Sequence, residues 1–104
     1  MDRVETIDKL LRKVMQDICG EVNVYFQPPT NIRMKYPAIV YKRDEIRNEQ
    51  ADNLTYFQHV IYQVTVIDSN PDSLLVFAIS ALPKCRFERH FVSDGLNHDV
   101  FTIF

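Results

Sequence analysis

The sequence predicts an α+β domain: a mostly antiparallel sheet with two helices, in the order α-β-β-β-α-β-β. Three observations predict it. Over the first 19 residues, apolar side chains recur at spacings of three and four, the period of a one-sided helix. Later runs rich in Val, Ile, Tyr and Phe are punctuated by Pro, Asn, Asp and Gly, which is strand and turn chemistry. Asp94-Gly95 separates the last two runs, and Gly tolerates the positive φ that a tight hairpin requires. Strands joined by hairpins, with helices segregated to one face, make an α+β sheet.

The first helix is expected over residues 2–19. Val4, Ile7, Leu11, Val14 and Ile18 form its stripe, which Leu10 and Met15 widen. Asp2 and Glu5 have capping-box spacing, and Gly20 suits the left-handed position that ends a helix. A short strand is expected over 22–27, stopped by Pro28-Pro29, which cannot donate to a ladder. A second is expected over 37–42, followed by a polar stretch, 44–53, expected to be a mobile loop. The longest strand is expected over 56–67. Its face bearing Val60, Tyr62, Val64 and Val66 is the better core candidate, against Phe57, His59, Ile61, Gln63, Thr65 and Ile67 on the other. Asn70 as cap, Pro71 at the first helical position and Asp72 at the positive end of the dipole start a second helix, 71–82, closed by Pro83. Strands over 86–92 and 96–104 form the closing hairpin. The chain stops inside the apolar stretch Val100-Phe101-Thr102-Ile103-Phe104, where a strand is expected to continue or to end against a partner.

A length of 104 residues fits a single domain, 1–104. The net charge is −2 and the twelve basic side chains are scattered, so specific nucleic-acid binding is not expected. No apolar run approaches the ~20 residues of a membrane-spanning helix. The acidic N-terminus, with no apolar segment, is not expected to be a signal peptide.

Chemistry-bearing patterns are sparse. His59, His90 and His98 show no metal-ligand spacing, and Cys19 and Cys85 no motif. The cysteines are expected to be buried thiols; spacing alone can neither place nor exclude a disulfide between them. Cys85 near His90 or His98 lacks a Gly-rich turn to supply an oxyanion hole, and no Ser has a nucleophile-elbow context. Asp44, Glu45, Glu49 and Asp52 cluster around Arg47, without the Gly and the ligand offsets of a calcium loop. No catalytic, cofactor or metal residue is expected, and the chain is read as a non-enzyme. The run Leu74-Leu75-Val76-Phe77-Ala78-Ile79-Ser80-Ala81-Leu82 is apolar nearly all round, so its second side needs a cover. Either the first helix or a neighbouring subunit could supply it; Val76 and Ile79 are the outward candidates.

Three stretches carry a resemblance: Tyr36-Pro37-Ala38-Ile39-Val40-Tyr41; the run from Tyr62 through Asp68-Ser69-Asn70-Pro71-Asp72-Ser73; and the run from Phe87 through Ser93-Asp94-Gly95 into Phe101-Thr102-Ile103-Phe104. In this order they resemble the tail-terminator, or tail-completion, proteins of long-tailed bacteriophages, a family also called minor capsid or head–tail joining proteins. The resemblance implies a virion structural protein made in the bacterial cytoplasm. It implies a homo-oligomeric ring, usually a hexamer, that caps the tail tube, meets the head connector and lets genome DNA pass without specific binding, with no membrane partner. It carries over regions rather than residues: the 44–53 stretch and the strand edges. In such a ring the acids at 44–53 would face the lumen, repelling phosphate, or would dock on the tube. The chain ends slightly earlier than the family pattern leads one to expect. A head-completion or adaptor module is the alternative.

Overall fold

The computed structural model describes residues 3–28, 33–51, 54–70 and 72–104. The elements are α1 (Arg3–Cys19), β1 (Val24–Phe26), β2 (Ala38–Ala51), β3 (Leu54–Asp68), α2 (Leu74–Ser80), β4 (Cys85–Ser93) and β5 (Leu96–Ile103). The five strands form one sheet in the order β1-β2-β3-β5-β4. Every neighbouring pair is antiparallel except β1 and β2, which run parallel with Val24 opposite Ile39. The α+β class and the element order are as the sequence predicts.

α1 buries Ile7, Leu11 and Met15, one residue per turn, while Leu10 and Ile18 at the margins stay exposed. Each fully buried side chain of this kind contributes about 1.5–3 kcal/mol of transfer free energy. The helix ends where Gly20 takes φ +73° and donates its N–H to the Gln16 carbonyl at 3.0 Å. α1 and α2 lie on one face of the sheet. Leu11, Met15, Leu75 and Ile79 join Ile39, Tyr41, Tyr62, Val64, Val66 and Phe101 in a single apolar cluster. The face of β3 favoured by the sequence is thus the core face. The opposite face is also partly closed: Ala38, Ile61, Ile67 and Val100 are buried there. Met34 and Phe91 help wall the groove over Ile67 and Val100.

The closing hairpin has the two-residue turn that Asp-Gly favours. Ser93 pairs with Leu96, and Asp94 and Gly95 both have positive φ, 54° and 75°. α2 departs from expectation at its start. The Asn70 side-chain oxygen accepts the N–H of Asp72 at 2.9 Å, and Asp68 accepts that of Asn70 at 3.1 Å. These turns occupy the side chain that was expected to cap the helix, which begins three residues later, with Ser73 as N-cap. Pro71 lies outside the described residues.

The largest departure is at 44–51. The stretch expected to be a mobile loop is the second half of β2, paired with β3 from Glu45–Ile61 to Ala51–Leu54. Its polar sequence lacks period-two apolar alternation, but its partner strand is rich in β-branched and aromatic residues. Cross-strand pairing overrides local propensity here. The β3–β5 pairing stops at Tyr62 and the β1–β2 pairing at Tyr41. Beyond those points β2 and β3 continue as a two-stranded ribbon, an arm of roughly 25 Å at ~3.3 Å per residue. It accounts for the elongated outline of 50 × 26 × 25 Å.

Candidate interaction surface

Among the described residues, register shifts in the sheet fall at three places, one of them within the arm between Glu49 and Gln50, and the other two shape the surface around its root. Of these two, one falls between Arg43 and Glu45 at the root of the arm, leaving Asp44 as the extra residue; the other falls between Phe87 and Arg89 on β4, leaving Glu88. A bulge reverses the in–out alternation beyond it. Phe87 and His90, opposite Phe101 and Asp99, therefore both turn to the helix face, while Arg89 and Phe91 turn to the other. Glu88 is fixed by two hydrogen bonds, from Thr102 Oγ1 and Arg86 Nε, both at 2.9 Å, and by an ion pair with Arg86 Nη2 at 2.8 Å. Those bonds hold its carboxyl below the usual range. Asp44, Arg86, Glu88 and Arg89 share a polar groove of about 200 Å³ between the root of the arm and β4.

β4 is an edge strand, and every residue after Cys85 is exposed. It nonetheless carries Phe87 at 50%, Phe91 at 40% and Val92 at 62% exposure. Phe87 packs edge-on against Phe101 (centroids 5.6 Å apart), and Phe91 stacks on His98 at 4.7 Å. Beside β4, α2 turns Leu74 and Phe77 outward, 70% and 63% exposed. Phe77, Val76, Phe87 and Phe101 line an apolar groove of about 400 Å³ between α2 and β4.

The sequence-derived candidates divide accordingly. Asp44 is exposed at the bulge, and Glu45, Arg47 and Glu49 lie on the arm. Asp52 lies outside the described residues. Val76 is half-buried in the wall of the apolar groove, whereas Ile79 is fully buried in the domain's own core and is not an outward residue. An all-apolar helix has no polar face to orient it, so its sequence does not reveal that Leu75 and Ile79 turn inward while Leu74 and Phe77 turn outward. Sequence reading missed Leu74, Phe77 and Val92 as outward residues; on β4 the signal available was large apolar residues on an edge strand interleaved with Arg86, Glu88 and Arg89.

Several titratable groups are engaged in hydrogen bonds or shifted by burial. Asp8 accepts hydrogen bonds from Tyr41 Oη and Arg12 Nε, both at 2.7 Å. Burial raises its pKa, but these two bonds outweigh burial and hold it below the usual value. Burial and the Asp8 carboxylate push the Tyr41 phenol well up. Cys19 and Cys85 are free thiols, both half-buried and raised by burial, Cys19 also by Asp68 and Glu21. Asp99 is raised by burial, against the pull of His90 and His98. His90 Nε2 is bonded to Asn97 Oδ1 at 3.2 Å, and Asn97 in turn donates to the carbonyls of Asp68 and Ser69. Among the described residues, no three His, Cys, Asp or Glu side chains converge as a metal site. Among the same residues, no helix is long and apolar enough to cross a membrane. What the surface offers is a projecting ribbon and an apolar edge. No protein-family model matches the chain, and no curated protein matches it in sequence.

Proposed function

We propose that this chain is a non-catalytic assembly subunit, a phage tail terminator. It forms a homo-oligomeric ring, usually of six, that caps the tail tube and presents a surface to the head connector. The observation that carries the reading is the β2–β3 arm. A two-stranded ribbon projecting beyond its sheet is marginally stable alone and becomes well supported when a partner covers it. Assembly proteins use such ribbons to reach a neighbour, and a heterologous contact repeated around an axis closes a ring. The resemblance of the order of motifs to that of tail-terminator proteins supports the tail end as the place of that ring. DNA passes through it without sequence-specific contact, consistent with the net charge of −2.

The test has two parts. Sedimentation across a concentration series measures the mass in solution, where a ring is expected. Electron microscopy of tail tubes grown with and without the protein then reads its effect on length. Tubes stopped at a capped end support the proposal. A chain that stays a single subunit at every concentration and leaves tube length unchanged overturns it.

A further inference from the structure

We infer that the β2–β3 arm of one copy docks along β4 of a second copy, with its apolar positions against the groove between α2 and β4. The inference rests on the ring reading above and specifies its contact. Three observations lead to it. The first is chemistry: at the start of the arm Ile46 is 45% exposed, and the groove presents Phe77 and Phe87, each at least half exposed. Burying such surfaces against each other contributes about 25 cal/mol per Å². The second is charge: over 44–51 the arm carries Asp44, Glu45 and Glu49 against Arg47, while β4 carries Arg86 and Arg89 against Glu88 and is preceded by Lys84. An acidic ribbon thus meets a basic edge, which steers approach and sets register. The third is length: β4 offers nine residues of open edge. The part of β3 beyond its β5 pairing, 54–61, is nearly as long.

The competing account is that β4 is only a guarded edge, its bulge and charges blocking unwanted pairing. Guarding explains Arg86, Glu88 and Arg89. It does not explain Phe87, Phe91 and Val92 on the same strand, or Leu74 and Phe77 beside it. An arm on one side of the subunit and its receiver on another give a head-to-tail contact, the kind that closes rings.

Complementary variants test it. In the first, residues 46–60 are replaced by Asn-Gly, joining the register partners Glu45 and Ile61 by a two-residue turn; this removes the arm and keeps the receiving face. The second carries Phe77→Lys and Phe87→Lys, which keeps the arm and spoils the face. Each alone should sediment as a single subunit, the second near the parent's 12.3 kDa and the first lighter by the residues it lacks, and an equimolar mixture should give a one-to-one pair that grows no further. An arm-deleted chain that assembles like the parent, or a mixture that stays as single subunits, overturns the inference. If circular dichroism shows the arm-deleted chain unfolded, the Lys variant is titrated into the parent protein instead. Its arm should occupy the receiving faces and lower the mean mass, and an unchanged mass overturns the inference. A parent chain that is itself a single subunit at all concentrations removes the ring reading as well, whereas a parent ring that survives these variants removes only the arm contact.

Discussion

The β2–β3 hairpin is held in two different ways along its length. At its base, Tyr62 to Ile67 of β3 lie between β2 and β5, and Tyr62, Val64 and Val66 are sealed beneath α1 and α2. In the arm, the same two strands continue with only each other as ladder partners. α2 repeats the contrast over seven residues: Leu75 and Ile79 are buried in the domain core, while Leu74 and Phe77 face outward. In both places a secondary-structure element presents more than its own domain covers. Stability belongs to the covered half; under the function proposed above, the uncovered half is the surface offered to a partner.

The sharpest way to break this comparison is on α2. Ile79→Lys places a charge with no partner in the core and is expected to abolish folding, whereas Phe77→Lys is expected to leave the subunit folded and to weaken its assembly. Circular dichroism together with sedimentation separates the two outcomes; two equally unfolded variants would show that the outward side of α2 is structural.

A smaller effect is expected along the hairpin. Phe101 lies opposite Val64 at the base, so Phe101→Ala should cost about 3–5 kcal/mol of unfolding free energy. Ile46 is exposed at the start of the arm, and Ile46→Ala should stay within about 0.5 kcal/mol for the single subunit. Urea denaturation at low protein concentration measures both, and comparable losses would mean that the arm is part of the folding unit.

Much of the base was legible from sequence, and most of the arm was not. The stripe of α1, the Asp94-Gly95 turn and the core face of β3 are local patterns, readable one segment at a time. The arm is not local. The residues from Asp44 to Ala51 are polar and lack alternation, and their strand conformation follows from pairing with residues 54–61. The parallel β1–β2 register is likewise a relation between segments. At α2 the cap residue Asn70 has two competing uses, and the turn takes it first. The α2–β4 groove needs the β4 bulge to bring Phe87 and His90 to one face, which period-two reading of β4 assigns to opposite faces.

A finer effect probes the covered half through pH. The folded pKa of Asp8 is lowered, so its contribution is full above the usual 3.8 and is lost as pH falls through the lowered folded value. The folded pKa of Tyr41 is raised, so its contribution is full below the usual 10.0 and declines as pH rises above it. Tyr41→Phe should cost about 1 kcal/mol at neutral pH, flatten the acid limb and remove the alkaline loss. Denaturation curves from acid to alkaline pH read these slopes; an unchanged acid limb would mean that Tyr41 does not stabilise the Asp8 carboxylate. The smallest effect concerns the thiols. Burial raises both, so Cys19 and Cys85 should label much more slowly in the folded chain than in the unfolded one. Rapid native labelling of Cys85 would show that the root of β4 opens readily.

The contrast between base and arm is tested most directly by amide hydrogen exchange at a series of protein concentrations. The backbone of 62–67 should be protected at every concentration. That of 45–51 and 54–61 should exchange quickly in the dilute subunit and gain protection as concentration rises through the assembly midpoint. Protection of the arm that is already complete in the dilute subunit, or that never changes with concentration, would contradict the assignment of the arm to assembly.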